Sequence, residues 1–552
     1  MASRIHLRRS ALRSPLAFFL CSLLFIGQVA RPSDLQSIPS AQELERTGAI
    51  VGEIYVDPQN IFDLNDPKDD KSLFRLANKL HIKTREGVIR EQLLFHTGET
   101  YSQRSLEESE RILRSARYLY DAVVRPVAYH DGIVDVAVTT RDVWTLNPGV
   151  SFGRKGGKNT GGFQLEELNI LGTGTSISLS HDSQVDRSSN AIEYKNPHVA
   201  GSWNSLLASY SDNSDGSTRE LSFERPFYSL TTPWAFGVSG LDDDRTDSLY
   251  DLGHAVDIFQ HHQRTATAYG GWSKGLVDGW TRRWTVGTTY DDNTFEPTSG
   301  SNALAVIPED RKFVYPWIGL DVVQDDFVKE RNRDQIGRTE DFHLGARIEA
   351  RIGWASTALG SSDDAWLLRL RASDGFALDS KSTVLVSGTS ASRIEAGQFR
   401  NALVEGDVRY YYQQSHQALF FATIAGASGN RLDVDNQILL GGDNGLRGYP
   451  LRYQTGTSRA LLTVEERYFT NWYPLRLFRV GAAAFFDIGR TWGNSAIGAE
   501  NLGLLKDVGV GLRFGSTRSG LGNVIHVDVA FPLDGDSSIQ SVQFLVETKT
   551  SF

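Results

Sequence analysis

From about Leu146 to the C-terminus, apolar and polar residues alternate in short segments that Gly, Asn, Asp and Ser separate. In residues 508–515 the even positions are Val, Val, Leu and Phe, whereas the odd positions are Gly, Gly, Arg and Gly. A period of two predicts β-strands with one apolar face and one polar face. No segment of this region has a helical period, so we expect it to fold entirely from strands.

Strands of this kind could form a soluble sandwich, in which two apolar faces meet, or a transmembrane barrel with lipid outside and a wet lumen. A closed barrel avoids the exposed edges that many uncovered strands would leave. Aromatic residues near strand ends also favour the barrel, since Trp and Tyr are enriched at membrane interfaces; they are Tyr468, Phe469, Trp472, Tyr473 and Trp492. We predict an antiparallel barrel over 146–552, of about 16 strands and at most about 20.

Composition excludes several other classes. A mean hydropathy of −0.30 argues against a bundle of membrane helices, which needs several long apolar runs. The net charge of −10 argues against nucleic acid as a partner, because phosphate binding requires a basic face.

Residues 1–30 predict a signal peptide, in which four arginines precede an apolar run too short to span a bilayer as a helix. An uncleaved anchor is the alternative. The single cysteine, Cys21, lies in this leader, so the exported chain would have no disulfide, thiolate metal site or cysteine nucleophile. Residues 31–48 are predicted to be a linker.

Residues 49–145 predict a small α+β domain. The pattern indicates a strand at 50–56, helices at 72–81 and 85–94, a longer helix ending near Tyr120, and strands at 122–128 and 133–139. Ser105 and Glu108 have the spacing of a capping box at the start of the longer helix.

Three motifs follow one another in the C-terminal third of the chain. The first is a Gly-rich loop, too long for a simple hairpin, that contains Leu446, Arg447, Gly448 and Tyr449. The second places Glu465 and Arg467 on the next predicted strand. The third places Phe485, Asp487 and Gly489 on one strand face.

These motifs resemble those of the BamA/TamA superfamily of outer-membrane proteins, the bacterial surface antigen family. Residues 446–449 resemble its [V/L]RG[F/Y] motif and 485–489 its FxDxG motif, Glu465 and Arg467 match its charged pair, and Phe552 matches its terminal barrel signal. The domain at 49–145 resembles one POTRA domain, although the charged insert at 61–85 departs from that pattern.

The resemblance implies a barrel in the bacterial outer membrane and an N-terminal domain in the periplasm. It further implies that the loop enters the lumen, that Arg447 pairs with Asp487, and that the seam between first and last strands can open sideways.

The implied function is insertion, assembly or translocation of unfolded or partly folded client proteins. The implied partners are outer-membrane lipid, the clients and periplasmic accessory proteins; no enzyme activity, cofactor or metal is implied. A passive channel or surface antigen of the same fold is the alternative.

Signals for other chemistry are weaker. The letters of a nucleophile elbow occur at 149–153, but they fall in the first predicted barrel strand and no helix follows. His254 and His262 share a strand face without a third ligand at metal spacing. The acidic run at 242–251 is predicted to be a solvated loop.

Overall fold

The computed structural model describes residues 37–298, 306–494, 502–520, 524–535, 539–549 and 552. The predicted signal peptide lies outside these residues. None of the helices in the described ranges has the length and apolar character of a membrane span.

The N-terminal domain consists of α1 Ala41–Arg46, β1 Ile50–Gln59, α2 Ser72–Leu80, α3 Glu86–Arg90, α4 Gln103–Ser115, β2 Leu119–His130 and β3 Ile133–Asp142. Its helices pack against a three-stranded sheet of order β1-β3-β2, in which β3 is parallel to β1 and antiparallel to β2. Its core joins the fully buried Leu106 and Leu113 of helix α4 to Val134, Val136 and Val138 of β3.

Three local features differ from the sequence predictions. Helix α4 ends at Ser115 and Tyr120 lies in β2, so the predicted helix end near Tyr120 is wrong. Residues 41–46, predicted as linker, form α1, because Ser40 caps the helix and Leu44 is buried in the domain core. Helix α4 begins with Ser102 as its cap, and not with a box of Ser105 and Glu108. Glu108 instead accepts from the backbone N–H of Leu230 at 2.7 Å, a tertiary contact that local spacing does not reveal.

In the described residues, twenty antiparallel strands form a closed barrel, which confirms the predicted fold class and reaches the upper end of the predicted strand number. Two pairs, β14-β15 and β21-β22, form separate small sheets. The strands are β4 Leu146–Lys155, β5 Lys158–Glu167, β6 Ser176–Ser183, β7 Ser188–Asn196, β8 Ser205–Asn213, β9 Gly216–Arg225, β10 Trp234–Asp251, β11 His254–Val277, β12 Trp280–Pro297, β13 Arg311–Gln324, β14 Phe327–Arg331, β15 Thr339–His343, β16 Arg347–Ala355, β17 Ala365–Ala377, β18 Ser382–Glu395, β19 Gln398–Gln413, β20 Ala418–Asn430, β21 Ile438–Leu440, β22 Gln454–Gly456, β23 Ser458–Phe469, β24 Phe478–Trp492, β25 Leu505–Ser516, β26 Val524–Pro532 and β27 Gln543–Lys549.

The barrel wall has the two faces that the alternation predicts. In β25 the side chains of Val508, Val510 and Leu512 are exposed on the outside, whereas Arg513 is fully buried on the inside. Arg513 pairs there with the equally buried Asp528 of β26. An apolar outer face around a charged interior is the arrangement of a transmembrane barrel.

The acidic run at 242–251 lies in strand β10, so its prediction as a solvated loop is wrong. Its inward residues are paired: Arg245 Nε lies 3.1 Å from Asp247 Oδ1, and His261 Nδ1 of β11 lies 2.7 Å from Asp247 Oδ2. These pairs, one within β10 and one between β10 and β11, stabilise charges that sequence alone assigns to solvent.

Strands β27 and β4 close the barrel, and we call their junction the seam. Among the described residues they are paired only at Val546 and Arg154, whereas β26 and β27 pair along their length from Val524–Lys549 to Ala530–Gln543. A salt bridge of 2.8 Å between Lys155 Nζ and Glu547 Oε2 adds to the seam. The seam is thus held by less backbone pairing than the junction beside it.

We call the barrel end that joins the N-terminal domain the proximal end and the opposite end the distal end. Two connections between strands enter the lumen from these ends. Residues 431–457 connect β20 to β23 at the distal end, and residues 325–346 connect β13 to β16 at the proximal end.

Candidate functional site in the barrel lumen

The distal connection, 431–457, folds back into the barrel on a short stalk made by β21 and β22. At its tip Leu446 and Tyr449 are fully buried and pack with Leu440, Tyr453 and Leu505. The Tyr449 hydroxyl donates to the carbonyl of Lys506, at the start of β25, at 2.8 Å. The tip is therefore packed against the barrel wall and is not a free loop.

Gly448 allows a close approach of this tip to the wall. A Cβ at this position would lie 2.6 Å from the Cβ of Asp507 on β25, a distance at which a side chain cannot fit without displacing the wall. Asp507 is itself fully buried and lies opposite Asp487 of β24 in the strand register.

Arg447 lies at the centre of the site and is 6% exposed. Its Nε and Nη2 donate to both carboxylate oxygens of Asp487 at 2.7 and 2.9 Å, and its Nη1 donates to Glu465 Oε1 at 2.7 Å. The Phe485 ring lies 3.4 Å from its Cζ, and the Thr463 hydroxyl donates to Asp487 at 2.7 Å. Only the rigid, many-donor fork of an arginine can bind two carboxylates in this way.

Glu465 connects this arginine to a second one. Its other oxygen, Oε2, accepts from Arg467 Nε at 2.9 Å. Arg467 is 3% exposed and its Cζ lies 3.8 Å from the Phe421 ring of β20. We call Arg447, Asp487, Glu465 and Arg467 the lumen network.

The proximal connection, 325–346, reaches the same network, and we call it the plug hairpin. It consists of β14 and β15. Arg467 Nη1 donates to the Arg333 carbonyl at 3.0 Å, and the backbone N–H of Phe552 donates to the Asp334 carbonyl at 2.7 Å. Ile336 at its tip and Leu344 at its base pack inside the barrel with Phe552 and with residues of the wall strands; these are Leu385, Tyr411, Leu419, Phe421, Phe469, Ala483 and Val524.

One carboxylate shapes the turn of the plug hairpin. Glu340 accepts from the backbone N–H groups of Arg333, Asp334 and Gln335 at 3.0, 3.0 and 2.9 Å. Burial raises the pKa of Glu340 to about 7, and Asp334 contributes to the rise, although the three N–H donors oppose it. The turn is thus fixed by a side chain inside the hairpin itself.

Helix α4 of the N-terminal domain holds the base of the plug hairpin. Arg114 donates to both oxygens of Asp341 at 2.6 and 2.7 Å, and Lys329 Nζ lies 2.6 Å from Glu110 Oε1. Burial raises the pKa of Glu110, but hydrogen bonds from Lys329 and Arg114 outweigh it, so the pKa lies below its usual value. The contacts form a continuous path from the N-terminal domain to Arg447.

The structure brings the residues singled out from the sequence into one region of the lumen. Phe485 lies against Arg447, Gly489 lies beside Leu440 at the foot of the loop, and Phe552 is 3% exposed beside Phe469.

Sequence reasoning missed the plug hairpin and two wall residues, Thr463 and Asp507. The hairpin strands alternate as barrel strands do, so nothing in their pattern separates them from the wall. The two wall residues alternate inward, but alternation does not reveal which inward residues lie at the site of the loop.

The arrangement offers weak support for bound metal or for a serine nucleophile. His526, Asp528 and Glu547 place ligand atoms within 4.8 Å of one another, but Asp528 pairs with Arg513 and Glu547 with Lys155. Residues 149–153 lie within extended strand β4, where the strand-to-helix turn of a nucleophile elbow is not formed.

Comparison with known proteins gives matches among solved structures only. No family model matches the chain, and no curated protein matches it. BamA from Haemophilus ducreyi lacking POTRA domains 1–3 aligns over 91% of this chain and 84% of its own, with 12% identity and a TM-score of 0.39. CdiB from Acinetobacter baumannii aligns over 91% of this chain and 73% of its own, with 13% identity and a TM-score of 0.44. CdiB from Escherichia coli aligns over 92% of this chain and 77% of its own, with 11% identity and a TM-score of 0.47.

Replacing Arg447 by Ala should destabilise the folded barrel by about 3–5 kcal/mol, because two buried carboxylates lose their shared partner. Arg447→Lys should fall between this variant and wild type, since it keeps the charge but loses the bidentate geometry. Urea unfolding followed by heat-modifiable gel mobility measures the decrease in the free energy of unfolding. Limited proteolysis of the Arg447→Ala variant should show cleavage within 431–457.

Arg452→Ala is the matched control on the same loop, because Arg452 pairs with the half-exposed Asp186. Such a pair contributes at most about 1 kcal/mol. Equal destabilisation by the two alanine variants would show that Arg447 has no special part in holding the loop.

Proposed function

We propose that this chain is a bacterial outer-membrane barrel that inserts, assembles or translocates client proteins by using a lumen-held loop and a seam that opens sideways. The observation that carries the proposal is the position of Arg447. It is buried between Asp487 and Glu465, at the motif positions that resemble those of the BamA/TamA superfamily. The proposed activity is mechanical, without a bond made or broken and without a cofactor or metal.

The loop braces one flank of the barrel in this proposal. Its tip contacts Glu465 on β23, Asp487 on β24 and the backbone of Lys506 on β25, and Tyr449 also donates to the carbonyl of Asp534 beyond β26 at 3.1 Å. These four strands therefore resist deformation together. The seam lies one strand farther on, between β27 and β4, and has less backbone pairing than the β26–β27 junction, so an opening force separates the seam first.

An open seam would present the unpaired backbone groups of β27 and β4. Such edges bind an incoming strand by β-augmentation, in which main-chain hydrogen bonds supply affinity without requiring one client sequence. A client strand could then leave directly into lipid. The N-terminal domain, which we place in the periplasm, would receive clients or accessory proteins at the edges of its own sheet, β1 and β2.

The occupied lumen favours this function over a passive channel. The loop enters from the distal end, the plug hairpin enters from the proximal end, and the two meet at Glu465 and Arg467. A passive channel requires an open aqueous path, and these two segments occupy part of that path.

Locking the seam should abolish the proposed activity. Arg154→Cys and Val546→Cys are register partners across the seam, at a separation suited to a disulfide. In cells depleted of the wild-type protein, the oxidised double variant should leave other outer-membrane barrels at depleted levels, and a reductant should restore them. Outer-membrane proteomics measures these levels in a Cys21→Ser background.

Val510→Cys with Val529→Cys provides the matched control, because it cross-links β25 to β26, which are already well paired. This lock should support wild-type levels. Normal levels with a fully cross-linked seam would contradict lateral opening, and unchanged levels of every other barrel on depletion would contradict the insertase function as a whole.

Conductance in planar bilayers separates the proposed function from a passive channel. The wild-type protein should conduct weakly, and replacement of residues 327–343 by a short Gly-Ser linker should raise the conductance because it removes the proximal obstruction. Arg114→Ala with Asp341→Ala, which keeps the hairpin and its Lys329–Glu110 pair but removes the Arg114–Asp341 pair with α4, should give brief openings. A large, permanently open wild-type pore would instead support the passive channel.

A further inference from the structure

Helix α2, within the insert at 61–85, exposes an apolar stripe. Leu73, Leu76 and Leu80 are 66, 50 and 63% exposed and lie at spacings of three and four residues, which places them on one helical face. Ile82, 53% exposed, follows directly. Four large aliphatic side chains side by side on a surface usually mark an interaction site.

The opposite face of α2 is fixed in place, so the stripe has a defined direction. Phe74 is buried and stacks on Phe62 with ring centroids 4.0 Å apart. Asn78 Nδ2 donates to the Phe62 carbonyl at 2.8 Å, and the Phe62 N–H donates back to Asn78 Oδ1 at 3.2 Å. The helix cannot turn its leucines inward without breaking these contacts.

The insert is attached to the proximal turns of the barrel. Asp69 Oδ2 lies 3.0 Å from Arg518 Nη2, in the turn after β25, and Asp66 Oδ2 lies 2.9 Å from Arg476 Nη2, in the turn between β23 and β24. Arg518 Cζ also lies 4.8 Å from the Phe62 ring. Since proximal turns mark the level at which barrel strands leave a membrane, α2 lies at that level.

The apolar outside of the barrel continues to the same turn. Trp472 and Leu475, between β23 and β24, are 60 and 73% exposed, and Tyr468 at the end of β23 is also exposed. Exposed Trp and Tyr at strand ends are typical of the membrane interface. The stripe on α2 is therefore joined through one turn to the surface that faces lipid.

The charge of the insert also suits a membrane surface. It contains six basic and four acidic residues, and three of the acidic side chains are neutralised by arginines in the pairs Asp66–Arg476, Asp69–Arg518 and Asp70–Arg75. Lys79 lies on α2 next to Leu80, and Lys71 precedes the helix as its N-cap residue. A short helix with an apolar stripe and flanking lysines is typical of segments that lie in the lipid headgroup region.

The insert lies beside the seam. Trp144, two residues before β4, packs against the cluster of Ile61, Phe62 and Phe74, and its backbone N–H donates to the Arg518 carbonyl at 2.6 Å. The insert thus contacts both the start of β4 and the turn that leads into β26, on either side of β27.

We propose that the leucine face of α2 inserts into the phospholipid headgroup and acyl boundary of the proximal leaflet, next to the seam. The inference rests on the proposed function in one respect, that the barrel spans a membrane. It adds a lipid-binding surface that holds the N-terminal domain against the bilayer and displaces lipid where the seam opens.

Nitroxide labels on single cysteines test this placement in the full protein. Labels replace Leu76 or Leu80 on α2, in a Cys21→Ser background and in nanodiscs of phosphatidylethanolamine and phosphatidylglycerol. The control label replaces Val123, an exposed apolar residue on β2 of the same domain. We expect the α2 labels to collide with a water-soluble nickel chelate several-fold less often than the label at Val123, and to collide with oxygen more often than that label. Val510 on the outer face of β25 provides the lipid reference.

The outcomes separate this inference from the proposed function. Labels on α2 as accessible to nickel as those at Val123, with Val510 in lipid, would overturn the inference and leave the membrane barrel intact. Labels shielded from both reagents would also overturn it, because they would indicate a protein contact. A nickel-accessible label at Val510 would contradict the membrane barrel itself.

Discussion

The structure depends on one buried carboxylate, Glu465, held between two arginines. Arg447 comes from a loop that enters at the distal end, and Arg467 contacts a hairpin that enters at the proximal end. A charge removed from water is tolerated only where partners compensate it, so the buried Glu465 needs both Arg447 of the loop and Arg467 of the wall strand β23. Glu465 thereby makes the loop and the plug hairpin parts of one assembly.

This assembly makes the barrel mechanically uneven. The loop joins strands β23 to β26 through side-chain and backbone contacts, whereas the seam beyond β27 is paired only at Val546 and Arg154 in the described residues. On the proximal side, Arg114 and Lys329 connect the plug hairpin to helix α4. An event at the N-terminal domain can therefore reach Arg447 through contacts alone, while the seam stays the easiest place to separate.

The sequence predicted the features that repeat or that follow a motif. Alternation located the barrel strands, and the order of Arg447, Glu465 and Asp487 identified side chains that meet in the lumen. The sequence pattern did not predict the plug hairpin, because β14 and β15 alternate like wall strands. It also did not predict the start of α4, because Glu108 accepts a hydrogen bond from the distant Leu230 and does not cap the helix. What decides these features is contact between residues far apart in the chain, which local pattern does not contain.

Hydrogen exchange in Glu465→Gln tests the coupling between the two inserted segments most directly. The account predicts faster amide exchange in both 438–456 and 327–343, although among the described residues the Glu465 carboxylate is hydrogen-bonded only to Arg447 and Arg467. Glu466→Gln on the outer face should change neither. Faster exchange in the loop with an unchanged hairpin, or the reverse, would show that the two segments are held independently and would contradict the account.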